Sequence, residues 1–92
     1  MITVVNKKKN QRGTIYAGRP GPYGNPYVVG VHGKRGDCVK AFEKFLLSDK
    51  GAEFREKIAL IPDDAVLECF CVPNPCHAQV IADYENKRRG FI

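Results

Sequence analysis

The chain has 92 residues, with 15 Lys or Arg against 10 Asp or Glu, so its formal net charge is +5 at pH 7. This length fits a single domain over residues 1–92, and no apolar run approaches the ~18 residues that span a bilayer. The start also lacks the apolar stretch of a secretory signal. We therefore expect a cytoplasmic protein without a membrane partner, in which the four cysteines are reduced, metal-bound or reactive rather than disulfide-bonded.

The excess positive charge is clustered along the sequence. Lys7–Lys9 with Arg12 form one basic group, residues 34–35 (Lys-Arg) a second and residues 87–89 (Lys-Arg-Arg) a third. Clustered cations attract phosphate-bearing partners through local potential and counterion release. They also keep the surface of a small protein solvated. The charge pattern alone leaves both interpretations open.

Short β-branched runs predict two strands near the start, at residues 2–6 and 14–17, with hairpin pairing across a basic loop as one option. The apolar run at residues 28–31 is a candidate third strand. Between them, residues 18–27 contain three glycines and three prolines. That composition excludes a helix or a central strand and predicts a rigid loop.

This glycine- and proline-rich loop suits an anionic or aromatic ligand. Arg19 offers a planar fork for phosphate or carboxylate, and the glycines let the backbone approach a ligand closely. Tyr23, Asn25 and Tyr27 are available for stacking or hydrogen bonding. The alternative is a purely structural loop that its prolines stiffen. Neither the P-loop nor the dinucleotide-binding signature is present.

Apolar periodicity predicts a helix over residues 38–48, with Asp37 as its N-cap, and a second over 52–60 that ends before Pro62. A buried strand at 65–70 and a last helix at 78–89 follow, the latter with Asn74 as N-cap and Pro75 at its first position. The core-facing positions are Val39, Phe42, Phe45 and Leu46, then Phe54, Ile58 and Ile61, then His77, Val80, Ile81 and Tyr84. The order of elements predicts a small α/β domain with a three- to four-stranded sheet and about three helices packed on it.

The stretch at residues 68–77 (ECFCVPNPCH) holds three of the four cysteines and one of the two histidines. As a metal site, it supplies a Cys3His set that zinc accepts, namely Cys69, Cys71, Cys76 and His77. As a reactive site, Cys71 and His77 are the candidate catalytic pair, and Cys76 gains thiolate character near a helix N-terminus. As a structural corner, the same residues are simply buried. The sequence leaves all three interpretations open.

Two motifs stand out in the chain, Tyr16-x-Gly18-Arg19-Pro20-x-Pro22-x-Gly24-Asn25-Pro26-Tyr27 and Cys69-x-Cys71-x-Pro73-x-Pro75-Cys76-His77. Together they resemble the motifs of a family found in bacteria and their phages, domain of unknown function 4326. The family has Ser in place of Gly21, Phe in place of Tyr27 and Trp in place of Phe70, and the Cys/His set is intact. The motifs occur in the family's order and cover most of the chain.

The resemblance implies a phage or bacterial cytoplasmic setting and suggests a shared site. Both motifs follow a predicted strand, and parallel strands bring such loops to one edge of the sheet, where α/β folds bind ligands. We expect a pocket for a phosphate-bearing ligand, a nucleotide or a nucleic acid, with zinc as an option. Its expected lining is Tyr16, Arg19, Asn25, Cys71, Cys76 and His77. The alternative is a non-enzymatic phage accessory protein that binds a host protein or nucleic acid, with a structural Cys/His corner.

Overall fold

The computed structural model describes residues 1–9, 12–19, 21–70 and 76–92. Over these residues the chain forms strands β1 (Thr3–Asn6), β2 (Ile15–Tyr16) and β3 (Val66–Cys69), and helices α1 (Arg35–Leu47), α2 (Ala52–Ile58) and α3 (His77–Arg88). Short 3-10 turns lie at Lys7–Lys9 and Asp49–Gly51. The predicted small α/β fold is confirmed. No helix within the described ranges has the length and apolar character needed to cross a membrane.

The described part of the sheet has the order β1-β3-β2, and both pairings are parallel. Hairpin pairing between the first two strands is therefore wrong, because β3 lies between them. Leu67 is registered with Val4 on one side and with Ile15 on the other, so the three side chains form a row across the sheet. This row packs against the core, which explains why both short strands pair with the buried β3 rather than with each other.

The apolar run at residues 28–31 is a turn, not the third strand that its β-branched residues predict. Gly30 and Gly33 have positive φ angles of 88° and 122°, which reverse the chain direction there. The N–H of Gly30 donates to the carbonyl of Gly33, and the N–H of Val28 donates to Nδ1 of His32. These local bonds replace the pairing that a strand would make. His32 is exposed, as expected for a loop histidine.

Two helices begin at other residues than the sequence predicts. Helix α1 begins at Arg35 with Lys34 as its N-cap, and the Asp37 carboxylate accepts the Lys34 N–H at 3.1 Å from within the first turn. Asp37 therefore satisfies the N-terminus from the third helical position instead of as the cap. Helix α3 begins at His77 with Cys76 as its N-cap. Residues 74 and 75, the predicted cap and first position, lie outside the described residues.

The core lies between the helices and one face of the sheet. Leu67 and Cys69 alternate along β3 with the half-buried Val66 and Glu68, so only one face of this strand is fully covered. The helices supply the opposing buried side chains, which include Phe42, Leu46, Phe54, Ile58, Ile61 and Ile81. All six are among the core-facing positions that the apolar periodicity predicts. Each contributes about 1.5–3 kcal/mol by its burial.

The basic residues at the end of α3 have structural partners. Glu85 is fully buried and accepts hydrogen bonds from Arg88 and Arg89 at 2.7–2.9 Å. Arg89 also forms an ion pair with Asp63 at 2.8 Å and donates to the Ile58 carbonyl at 3.2 Å. Two of the three charges in this cluster are thus engaged by carboxylates. These carboxylates offset the charge of the two arginines, and attraction of phosphate by residues 87–89 stays a prediction.

Candidate ligand-binding site

The strands end together at one edge of the sheet, and a cavity of about 340 Å³ lies there. Because all pairings are parallel, the turn after β1, the loop after β2 and Phe70 after β3 emerge at the same edge. The described residues that line the cavity are Tyr16, Gly18, Arg19, Asn25, Tyr27, Val29, Arg35, Cys38, Val39, Cys69, Phe70, Cys76 and His77. The edge is where open α/β folds place their ligands.

Residues from both sequence motifs line this cavity. Tyr16, Arg19 and Asn25 come from the first motif. Cys69, Cys76 and His77 come from the second, some fifty residues further along the chain. The structure thus brings these residues of the two motifs together at one cavity, and their role in binding a ligand stays a prediction. Cys71, the predicted nucleophile and metal ligand, lies outside the described residues.

His77 joins the two motifs directly through its imidazole. Its Nε2 lies 2.6 Å from the carbonyl oxygen of Ala17 and 3.0 Å from that of Tyr23. Carbonyl oxygens only accept hydrogen bonds, so Nε2 carries the proton and donates to both. We call this pair of bonds the His77 clasp. It engages Nε2, so Nδ1 is the ring nitrogen through which His77 would bind a metal or act as a base.

The surroundings of His77 favour the neutral form of its imidazole. Burial lowers its pKa below the usual 6.5 because a charged ring loses its hydration. The bonds to Ala17 and Tyr23 oppose this effect in part, and the nearby positive charge of Arg19 lowers the pKa further. The clasp requires a proton on Nε2, which both the neutral Nε2–H tautomer and the charged ring carry; burial favours the neutral one.

Two other residues of the first motif hold the loop in shape. Asn25 accepts the Tyr27 N–H through Oδ1 at 2.9 Å and donates through Nδ2 to the Cys38 carbonyl at 3.4 Å. The Tyr16 hydroxyl donates to the Arg19 carbonyl at 3.1 Å. Asn25 thereby ties the loop to the first turn of α1, and Tyr16 fixes the backbone that carries Arg19. Both residues position the site, whatever ligand it binds.

The electrostatics of the cavity favour an anion. Arg19 and Arg35 both line it and both are exposed. Helix α1 begins at Arg35 and helix α3 at His77, so two helix N-termini, with their partial positive charge, meet at the cavity. None of the lining residues that the structure describes is Asp or Glu. The sequence offered Arg35 only as part of a basic cluster, since the helix begins earlier than the pattern predicts.

Three buried cysteines line the cavity: Cys38, Cys69 and Cys76. Cys38 is buried, as its place beside the apolar stripe of α1 predicts, but its presence at this site was missed. Within residues 1–9, 12–19, 21–70 and 76–92, no group of three or more His, Cys, Asp or Glu side chains could hold a metal ion. Zinc binding through Cys71 therefore stays a prediction.

The family model of DUF4326, a domain of unknown function, matches residues 3–87 of the chain. The chain belongs to the DUF4326 family. The match spans both motifs and all the described strands and helices except Arg88 at the end of α3. No curated protein and no solved structure matches the chain.

Proposed function

We propose that the cavity binds a phosphate-bearing ligand, either a nucleotide or a nucleic acid. The observation that carries this proposal is the convergence of Arg19, Arg35 and two helix N-termini on one cavity whose described lining contains no carboxylate. Arginine pairs with phosphate oxygens through two parallel N–H bonds. Backbone N–H groups at the start of α3 add further donors, whereas the start of α1 already has the Asp37 carboxylate as an acceptor for the Lys34 N–H. The arrangement is complementary to a compact anion.

The walls of the cavity favour a ligand that also has a flat ring. Tyr16, Tyr27 and Phe70 contribute aromatic surface, and Val29 and Val39 contribute aliphatic surface. Its volume of about 340 Å³ lies in the range of small-molecule pockets, which combine apolar walls with a few polar groups. A nucleobase beside a phosphate has this combination of properties.

We propose that the protein acts in the bacterial cytoplasm, or in that of the host if a phage encodes it.

Calorimetric titration with ATP and with inorganic pyrophosphate tests the proposal. Arg19→Gln and Arg35→Gln should each weaken binding about tenfold or more, because each removes a charge-assisted hydrogen bond. Lys40→Gln is the matched control, since Lys40 is an exposed cation of α1 that does not line the cavity. Affinity should also fall as NaCl is raised. An affinity that changes neither with NaCl concentration nor with the two arginine substitutions would contradict the proposal.

A second candidate is a non-enzymatic binding module, such as a phage accessory protein that binds a host protein or nucleic acid. The His77 clasp favours it, because both acceptors of Nε2 are main-chain oxygens of the same chain. In this case His77→Ala lowers stability. If His77 instead serves catalysis with Cys71, the variant keeps its stability and loses turnover. Zinc at the corner is tested separately, by elemental analysis of protein purified under reducing conditions.

A further inference from the structure

Two exposed lysines and two aromatic rings, one exposed and one half-buried, form a group at the rim of the cavity that we call the ledge. Its members are Lys7, Lys8, Tyr16 and Phe70. The rings of Tyr16 and Phe70 meet edge to face, with their centroids 6.0 Å apart. Nζ of Lys7 lies 5.3 Å from the Tyr16 centroid, and Nζ of Lys8 lies 5.9 Å from the Phe70 centroid. Both distances allow cation–π attraction.

The sheet register builds the ledge. Asn6, the last residue of β1, is registered with Cys69, the last residue of β3, so Lys7 and Phe70 follow at neighbouring positions. Oδ1 of Asn6 accepts the Lys8 N–H at 2.9 Å, which fixes the turn that carries the lysines. Tyr16 joins from β2, where it is registered with Glu68 on the face of β3 that the helices do not cover fully. The ledge is therefore preformed by the backbone.

Phe70 is 41% exposed although it is a large apolar residue. Its ring belongs both to the ledge and to the lining of the cavity, as does that of Tyr16. Lys7 and Lys8 do not line the cavity. Positive charge thus continues outside the cavity, along a surface whose exposed face is aromatic. A ligand that fills the cavity and also covers the ledge would match both surfaces if it carried several phosphates and more than one ring.

We propose that the ledge stacks unpaired bases of a single-stranded nucleic acid. The backbone phosphates of that strand pair with Lys7 and Lys8 outside the cavity and with Arg19 and Arg35 within it. This inference rests on the proposed function and names its ligand class. Stacking on exposed aromatic rings beside a line of cations is how proteins hold single strands without reading their sequence. A duplex cannot use such rings, because its base faces are covered by one another.

Glu68 is the acidic side chain that opposes this arrangement. It is registered with Tyr16 and is half-buried, so its negative charge lies next to the ledge. Its charge reduces the attraction of the ledge for phosphate. Glu68→Gln should therefore tighten binding of a single strand, by about two- to fivefold for an interaction at a partly solvated surface. A gain in affinity on removal of one carboxylate is a readout that a loss of folding would not produce.

Fluorescence anisotropy with a labelled ten-nucleotide oligothymidine tests the proposal. Phe70→Ala should weaken binding by about 5- to 150-fold, the range typical for loss of one stacked base. Phe70→Tyr should bind like the wild type. Phe91→Ala is the matched control, because Phe91 is 38% exposed and lies outside the ledge and the described cavity lining. Thermal melts of each variant check that it is folded, which we expect because the side chains of Phe70 and Phe91 are both exposed.

The outcomes separate this inference from the proposed function. If Phe70→Ala binds the oligonucleotide as tightly as the wild type, or if a duplex of equal length binds as tightly as the single strand, the ledge proposal is overturned. It is overturned alone when Arg19→Gln still weakens pyrophosphate binding. Conversely, Phe70-dependent binding of the oligonucleotide that Arg19→Gln and Arg35→Gln leave unchanged would support stacking on the ledge and overturn the placement of phosphate in the cavity.

Discussion

Nε2 of His77 donates to the main-chain oxygen of Ala17 over 2.6 Å, across sixty residues of sequence. Ala17 directly follows β2, and His77 is the first residue of α3. The bond therefore fastens the start of the glycine- and proline-rich loop to the start of the last helix. Because the same nitrogen also donates to Tyr23, the loop is held at two points by one side chain. The shape of the cavity depends on this clasp.

Removal of the clasp should destabilise the fold. His77→Ala leaves two main-chain oxygens without their donor and opens space in a buried site, so we expect a loss of about 2–4 kcal/mol in the free energy of unfolding. Urea denaturation measures it. His32→Ala is the control, since His32 is exposed and its ring accepts one local bond from Val28. If His77→Ala is as stable as the wild type, the clasp does not stabilise the fold.

Stability should fall in mildly acidic solution. The pKa of His77 is lowered in the folded chain by burial, so the unfolded chain takes up this proton first as the pH drops below about 6.5. The contribution of neutral His77 is complete above that pH and is lost as the pH falls towards the lowered pKa. The slope for one proton is at most ~1.4 kcal/mol per pH unit. Urea denaturation at several pH values should show this slope in the wild type and not in His77→Gln.

The two arginines at the end of α3 should differ in their effect. The Arg89 side chain is 9% exposed and serves Glu85, Asp63 and a main-chain oxygen, whereas that of Arg88 is 47% exposed and serves Glu85 alone among the bonds above. Arg89→Met strips a buried carboxylate of a partner and should cost about 3 kcal/mol. Arg88→Met should cost clearly less, because its charge is screened by water. Equal losses would contradict this difference in burial.

Much of the fold could be predicted from the sequence because its signals are local. The apolar spacing in the helices identifies Phe42, Leu46 and Ile58 as buried, and they are. Two motifs that each follow a strand predicted the shared edge, since parallel strands place such loops together. The pairing of β1 and β2 with β3 was harder to predict, because a four-residue and a two-residue strand carry no signal for a partner fifty or more residues away.

The details of the site depend on contacts that no local pattern encodes. Aspartate satisfies a helix N-terminus either as the cap or from the third position, and the sequence around Asp37 does not distinguish the two. Because α1 begins earlier than predicted, Arg35 lies in its first turn and lines the cavity. The buried polar residues Glu85 and Asn86 likewise follow from partners far away in sequence. An apolar periodicity cannot reveal such partners, because it counts only side chains that avoid water.

Asn86 should be required for anchoring the start of the chain. Its Oδ1 accepts the N–H of Ile2 at 2.8 Å, and its Nδ2 donates to the carbonyl of Ile2 at 2.9 Å. Asn86→Ala removes both bonds at a buried position and should cost about 2–3 kcal/mol. Hydrogen exchange at the Ile2 amide should also accelerate. Gln79→Ala is the control on the same helix, because Gln79 is exposed and bonds only locally to Asp83; an equal loss there would contradict a specific anchor.

The pKa of His77 should respond to changes of charge at the cavity. Burial lowers the pKa of His77 first and most, the bonds to Ala17 and Tyr23 raise it, and the positive charge of Arg19 lowers it again. Arg19→Gln should therefore raise the pKa of His77 towards its usual value, as measured by NMR titration of the ring carbon signals. Lys40→Gln, which removes an equal charge outside the cavity lining, should leave that pKa unchanged.

Bound pyrophosphate should raise the pKa of His77 in the wild type, because its negative charge offsets that of Arg19. If pyrophosphate binds and the His77 signal does not respond, the phosphate lies away from Arg19 and the proposed placement of the ligand is wrong.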